Sequence, residues 1–130
     1  MTPTKLLLLA KLASRSSYSP YSKFRVGAAI LTESDKVYTG CNVENASYGL
    51  TICAERNAVF QMVAKAQERI VAVAIYTPTD TATAPCGACR QVINEFGPAA
   101  RIISGCESNH RLDSPLDELL PHAFGPGNLL

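Results

Sequence analysis

Two short segments constrain this chain more than anything else in it. Cys53-Ala54-Glu55-Arg56 is followed by Pro85-Cys86-Gly87-Ala88-Cys89, whose Cys86 stands 33 positions after Cys53. If the three thiols share one ion, the fold must bring two segments distant in sequence to a single point. Three thiolates on Zn²⁺ leave a fourth tetrahedral position for water, and an open position separates a catalytic zinc from a structural one. Glu55, two residues past the first ligand, adds a proton carrier beside that position.

Other readings of the same residues are weaker. A C-x-x-C alone fits half of a structural zinc knuckle or a redox pair. A structural site closes with a fourth Cys or His, for which Cys41, Cys106, His110 and His122 are the candidates. A redox pair belongs directly after a first strand, whereas here the polar loop Thr77–Pro85 intervenes. Both histidines read most simply as surface or packing residues.

The rest of the chain must supply the scaffold. At 130 residues it is expected to form a single domain, residues 1–130, able to bury a core without disulfides. It is 47% hydrophobic and 18% charged, which leaves apolar surface for subunit contacts. A net charge of +1 gives no electrostatic case for nucleic acid or an anionic membrane. Five cysteines, three of them in one cluster, favour a reducing compartment, so the expected location is cytoplasmic. Leu6-Leu7-Leu8-Leu9-Ala10 resembles a signal-peptide core, but Lys11 interrupts it and Leu12-Ala13 continues a helical pattern. No run approaches the roughly 20 apolar residues that span a bilayer.

Periodicity and punctuation predict the element order. A helix capped by Thr2 or Thr4 runs to about Ser14, followed by a Ser/Tyr/Pro loop to Ser22. Phe24–Thr32 and Lys36–Val43 read as the two strands of a hairpin turning at Ser34-Asp35. Thr51 is a natural N-cap for a helix to about Gln67 with Val59, Phe60 and Val63 on one face. Ile70–Tyr76 is a central strand, Cys86–Phe96 a helix stopped by Gly97-Pro98, Arg101–Ser104 a strand, and Leu116–Leu120 a short helix. Strands alternating with helices after a hairpin imply an α/β fold with a mixed sheet covered on both faces.

On this map the three cysteines fall at two helix N-termini, where the helix dipoles favour thiolate. Each helix flanks the same central strand, so both ends can meet at one sheet edge. Arg56 completes the electrostatics. Zinc with three thiolates carries a formal charge of −1, which opposes activation of water, and a guanidinium beside Cys53 offsets it.

Zinc nucleobase deaminases carry an H-x-E…P-C-x-x-C signature with three-cysteine variants. This chain shows the three-cysteine form and resembles, over nearly its whole length, the cytidine deaminases of the small homotetrameric type, within the zinc-dependent cytidine/deoxycytidylate deaminase superfamily. The segments that carry the resemblance are Tyr18-Ser19-Pro20-Tyr21-Ser22, Phe24-Arg25-Val26-Gly27-Ala28-Ala29, Gly40-Cys41-Asn42-Val43-Glu44-Asn45-Ala46, the two cysteine segments with Arg90-Gln91, and Ala123-Phe124-Gly125-Pro126. The resemblance implies a three-layer α/β/α sandwich around a mixed sheet of about five strands, with Glu107–Leu112 left to supply the fifth. It implies one Zn²⁺ per subunit on Cys53, Cys86 and Cys89, with Glu55 as proton shuttle. It implies that Asn42 and Glu44 contact the ribose hydroxyls, that Phe24 packs on the pyrimidine, and that the backbone of Ala54 and Cys86 reads its polar edge. Tyr48 and Phe124 resemble residues that stand near a neighbouring subunit's site. Tyr18, Tyr21 and Arg90 fit either structural or functional roles.

The expected reaction is hydrolytic deamination of cytidine and 2′-deoxycytidine to the uridines, with release of ammonia, in pyrimidine salvage. Glu55 would carry one proton to ring N3 and another to the departing amino group. The alternatives are a deaminase of a related substrate, such as blasticidin S or a free base, and a non-catalytic zinc-stabilised module. Asn42-Val43-Glu44-Asn45 favours a free nucleoside, while neutral charge and few aromatics disfavour polynucleotide.

Overall fold

Residues 1–130 are described by a computed structural model. α1 (Pro3–Ser14) starts where Thr2 accepts a hydrogen bond from the Lys5 amide at 3.1 Å and Pro3 occupies the first turn. It buries Leu6, Ala10 and Ser14, one side chain per turn at i, i+4 and i+8. The hairpin follows as β1 (Gly27–Thr32) and β2 (Val37–Cys41), then α2 (Ala54–Lys65), β3 (Ile70–Tyr76), α3 (Gly87–Phe96), β4 (Arg101–Gly105), β5 (Leu112–Pro115) and the single turn α4 (Leu116–Leu119).

The five strands form one mixed sheet in the order β2-β1-β3-β4-β5. β1 is antiparallel to both β2 and β3, β3 is parallel to β4, and β5 returns antiparallel on the far edge. Strand alternation divides the core in two. Ala28, Ile30, Val73, Ile75 and Ile102 face α2 and α3, where they meet Ala58, Val59, Met62 and Ile93. Ala29, Ala72, Ala74 and Tyr76 face α1 through Leu6 and Ala10. The result is a three-layer α/β/α sandwich.

Small residues bring the layers together. A Cβ on Gly27 would lie 1.9 Å from the Ala10 carbonyl oxygen, and one on Gly40 would lie 2.4 Å from the Ala58 nitrogen and 2.6 Å from the Ala54 oxygen. α1 therefore rides on β1, and α2 on β2, at backbone contact distance. This tight seating also corrects the expected face of α2. The helix buries Ala54, Glu55, Ala58, Val59 and Met62, whereas Phe60 and Val63 point outward at 50% and 41% exposure. Alanine at 54 and 58 permits the close approach, and the bulkier apolar side chains are left outside.

The bounds of β1, α2 and β5 differ from expectation for identifiable reasons. β1 begins at Gly27 instead of Phe24. The Asn42 side chain takes the Val26 amide (3.0 Å) and donates to the Phe24 carbonyl (2.7 Å), in place of a strand partner. α2 begins at Ala54 with Cys53 in the N-cap position, so Thr51 does not cap it, and the helix stops at Lys65. The fifth strand is Leu112–Pro115, not Glu107–Leu112. The latter stretch is drawn onto the loop after β3, where the Glu107 amide donates to the Thr79 carbonyl (2.9 Å) and the Ala82 amide to His110 Nδ1 (2.9 Å). β5 is then fastened to β4 by the two-pronged pair of Arg101 and Asp113.

Candidate active site

The sheet register builds the site. Gly27 stands opposite both Cys41 and Tyr76, so the start of β1 and the ends of β2 and β3 lie at one end of the sheet. Phe24 and Val26, Asn42 and Thr77 gather there, and the loop after β3 delivers Cys86 to the same place. A crevice beyond the carboxyl ends of parallel strands is where open α/β sheets bind ligands.

Cys53 and Cys86 occupy the N-cap positions of α2 and α3, and neither side chain is used for capping. Cys89 follows one turn into α3. The Cys53 and Cys86 sulfurs are 3.9 Å apart, those of Cys86 and Cys89 3.4 Å, and all three lie within 4.8 Å of one another. Zinc–sulfur bonds of about 2.3 Å at tetrahedral angles separate sulfurs by roughly 3.8 Å, so the cluster fits that ion without rearrangement. No fourth Cys, His, Asp or Glu joins the cluster. Cys106 is engaged with Ser108 and the carbonyls of Asp80 and His110, and His110 with the Ala82 amide. The protein therefore supplies three ligands and leaves one side open.

Charge distribution favours such an ion. Arg56 Nη2 lies 3.3 Å from the Cys53 sulfur, as the sequence suggested. The Cys53 thiol falls to about 5, held down first by the Cys89 thiol that donates to it and, against the effect of burial, by Arg56. Cys89 is pushed up by its bond to Cys53 and by burial. One thiolate therefore forms readily, and an ion bound by all three sulfurs would displace the remaining thiol protons. Arg56 itself is driven further toward its charged form by Cys53.

The open side gives onto a cavity of about 220 Å³ lined by Phe24, Val26, Asn42, Thr51, Ala54, Glu55, Thr83 and Ala84, among others. Larger grooves elsewhere on the surface lack this chemistry. Glu55 is only 5% exposed and lines the cavity. Burial lifts its carboxyl above the usual carboxylate range, and the neighbouring Cys53 thiolate pushes the same way. A buried carboxyl of raised pKa beside three thiols is suited to giving and taking a proton.

The structure brings Phe24, Asn42, Ala54 and Glu55 together with two of the thiols around this cavity. Glu44 and Tyr48 line an adjoining depression with Tyr21 and Ser22, and Thr51 borders both spaces. Tyr48 is 74% exposed and stands against Tyr21 with ring centroids 5.8 Å apart. Phe124 is 59% exposed and lies outside the cavity, its carbonyl receiving Gln91 Nε2 at 2.7 Å and Asn94 Nδ2 at 3.3 Å. Within one chain these two aromatics do not reach the thiols.

Sequence reasoning left Arg90 undecided and did not assign Thr51, Thr83 or Ala84 to the site. Arg90 Nε donates to the Pro85 carbonyl (2.7 Å) and Nη1 to the Leu119 carbonyl (2.8 Å), buckling the loop before Cys86 to α4. Its place next to Cys89 was the available signal. Nothing in the local pattern marks the others.

A three-layer α/β/α fold with an open three-thiolate centre and a buried carboxyl defines a class of zinc hydrolases acting on small polar molecules. The family model of the cytidine and deoxycytidylate deaminase zinc-binding region matches residues 2–106, and the chain belongs to that family. It is 44% identical over 113 residues to the cytidine deaminase of Halalkalibacterium halodurans, covering 86% of each chain, and 40% identical over 131 residues to that of Sporosarcina psychrophila, covering 99% of this chain and 96% of the other. Among solved structures, cytidine deaminase from Burkholderia pseudomallei superposes with a TM-score of 0.91 at 44% identity, over 95% of this chain and 100% of that one. The Mycobacterium tuberculosis cytidine deaminase superposes with a TM-score of 0.83 at 39% identity, over 96% and 98%.

Proposed function

We propose that this chain catalyses the hydrolytic deamination of cytidine and 2′-deoxycytidine to uridine and 2′-deoxyuridine, releasing ammonia. The observation that carries this reading is the position of Glu55: buried, raised in pKa, and lining a cavity of about 220 Å³ beside three thiols that have no fourth protein partner. Cys53, Cys86 and Cys89 would hold one zinc per subunit, which supplies a Lewis acid and makes water acidic enough to react near neutral pH.

The chain's own residues do the rest. Phe24 packs on the pyrimidine and the backbone at Ala54 and Cys86 meets its polar edge. Glu55 places a proton on ring N3, which makes C4 electrophilic, and accepts one from the water that adds there. It then protonates the amino nitrogen as the C4–N bond breaks. Arg56 keeps negative charge on the sulfurs from opposing these transfers. Asn42 and Glu44 contact the sugar.

The same reading extends to the whole protein: a single domain over residues 1–130, assembled as a homotetramer, serving pyrimidine salvage in the cytoplasm. Exposed Tyr48, Leu50, Phe60, Val63 and Phe124 support the assembly. Neither nucleic acid nor a membrane is a partner in this reading; the net charge is +1, and no helix is long and apolar enough to cross a membrane. The test is the loss of cytidine absorbance and the release of ammonia on mixing zinc-loaded protein with cytidine, set against cytosine and single-stranded DNA. Turnover of cytidine and deoxycytidine alone is expected; turnover of the free base or the polynucleotide with cytidine untouched overturns the reading.

A further inference from the structure

Asn42 and Glu44 are not free polar groups awaiting a sugar. The loop from Ser17 to Val26 already holds both. The Asn42 amide has its orientation fixed by the backbone: Oδ1 accepts from the Val26 amide at 3.0 Å and from the Ser17 hydroxyl, while Nδ2 donates to the Phe24 carbonyl at 2.7 Å. A flipped amide would face a carbonyl with its oxygen and an amide with its nitrogen. Both Oδ1 lone pairs are therefore taken, and one Nδ2 proton remains.

Glu44 is held in the opposite sense. Oε1 accepts from the Tyr21 and Ser22 amides at 3.0 and 3.2 Å, and Oε2 accepts from the Ser22 hydroxyl. Of about four acceptor positions on a carboxylate, one on Oε2 remains. The Ser22 hydroxyl that donates its only proton to Glu44 also accepts from the Phe24 amide at 3.0 Å. It spans Lys23, which sits in the left-handed region at φ 61°. One hydroxyl thus joins the carboxylate at the sugar end to the residue carrying the aromatic ring at the base end. The donors on Glu44, the Ser22 hydroxyl foremost, also hold its carboxyl below the usual range and keep it ionised.

We propose that Ser22 is a positioning residue for the sugar: it locks Glu44, in the depression that adjoins the cavity, as a pure acceptor, while Asn42 in the cavity is held as a donor, so that a sugar hydroxyl reaching both is held and an oxygen without a proton is not. This rests on the nucleoside reading above. The hydroxyl accepts from Asn42 Nδ2 and donates to Glu44 Oε2. An ether at that oxygen has no proton to donate, and a phosphate ester also brings negative charge against a carboxylate. Because cytidine and 2′-deoxycytidine are both substrates in that reading, the discriminating hydroxyl is one the two sugars share, 3′ or 5′.

The test compares the parent, Ser22→Ala and Ser22→Thr on cytidine and on its 3′- and 5′-O-methyl ethers, with binding of unreactive uridine measured by calorimetry. Ser22 is exposed, so neither substitution disturbs the core. In the parent, one ether is expected to lose at least tenfold in kcat/KM, on the order expected for a lost hydrogen bond to a charged group, while the other stays within a few-fold of cytidine. Ser22→Ala is expected to raise the cytidine KM and weaken uridine roughly tenfold with kcat little changed, to narrow the penalty on the sensitive ether, and to be restored by Ser22→Thr. Both ethers reacting like cytidine, an unchanged KM in Ser22→Ala, or a threonine variant as weak as the alanine one overturns the proposal. Cytidine turnover by the parent tests the deaminase reading separately. If that turnover is absent, uridine binding by the parent and the two variants still decides the role of Ser22.

Discussion

Glu55 bears the most demanding job in the molecule, and its surroundings show the cost. Its carboxyl is buried, and burial favours the protonated form. The carboxyl lies beside Cys89 and Cys53 but is not one of the three clustered ligands, so its removal separates chemistry from metal content. Glu55→Ala is expected to retain zinc by metal analysis and to lose about a hundred- to ten-thousand-fold in kcat, the range for removal of a general acid–base. Substantial turnover by a zinc-loaded variant would remove Glu55 from the role. The sequence already pointed to this residue because it stands two positions after a cysteine and in no other relation to a metal. It left Arg90 open between a structural and a functional role, because its two hydrogen bonds end on main-chain carbonyls at Pro85 and Leu119, and main-chain acceptors leave no mark in a one-letter pattern.

At the scale of elements, the site depends on how closely helices approach strands. Gly40 lies under the first turn of α2, between the Ala54 oxygen and the Ala58 nitrogen. A methyl group there must move the helix that carries Cys53, Glu55 and Arg56. Gly40→Ala is expected to lower stability by about 1–3 kcal/mol, as overpacking does, and to lower zinc content as well; denaturant unfolding with metal analysis reads both. The far edge behaves differently. Asp113 is held below the usual carboxylate range by Arg101, so the pair contributes where the unfolded chain's aspartate is ionised and loses that contribution as pH falls through the depressed folded value. The two groups are exposed, and the effect is small. The Tm difference between the parent and Asp113→Asn is expected to be constant near neutrality, to begin to shrink below about pH 4 and to vanish only below the depressed folded value. A difference that grows in acid contradicts the assignment. The position of β5 was hidden in the sequence because Leu112–Pro115 is short, polar at its centre and ends in proline, and only long-range bonds to Thr79 and Ala82 draw Glu107–His110 away from the sheet.

The whole molecule sets the core against the centre. The main hydrophobic cluster of Ala28, Ile30, Val59, Met62, Val73, Ile75, Ile93 and their neighbours contains none of the three cysteines. Chelation is expected to abolish turnover while leaving the far-UV circular dichroism spectrum largely intact; collapse of the spectrum would make the ion structural. Outside the core, α2 shows Phe60 and Val63 to solvent, and Tyr48 and Phe124 stand exposed away from the thiols. A protein of this size keeps few such groups uncovered without a partner. Sedimentation is expected to give four times the chain mass, and Phe60→Glu with Val63→Glu is expected to dissociate the assembly and reduce turnover together. A monomeric parent with full activity would show that these side chains are simply exposed.

The sequence by itself determined the chemistry: three thiols, a carboxyl and a guanidinium at spacings that one ion and one proton carrier require, on helices and strands whose periodicity is local. Local rules reach that far because a helix start or a strand alternation is decided within a few residues. Tertiary structure alone decided what those groups face. It seated α2 on its alanines and turned Phe60 outward, and it drew Glu107–His110 off the sheet. It also closed the loop from Ser17 to Val26 onto Asn42 in the cavity and Glu44 in the depression beside it. Such hydrogen bonds join residues far apart in the chain, and their partners become neighbours only when the sheet register is set.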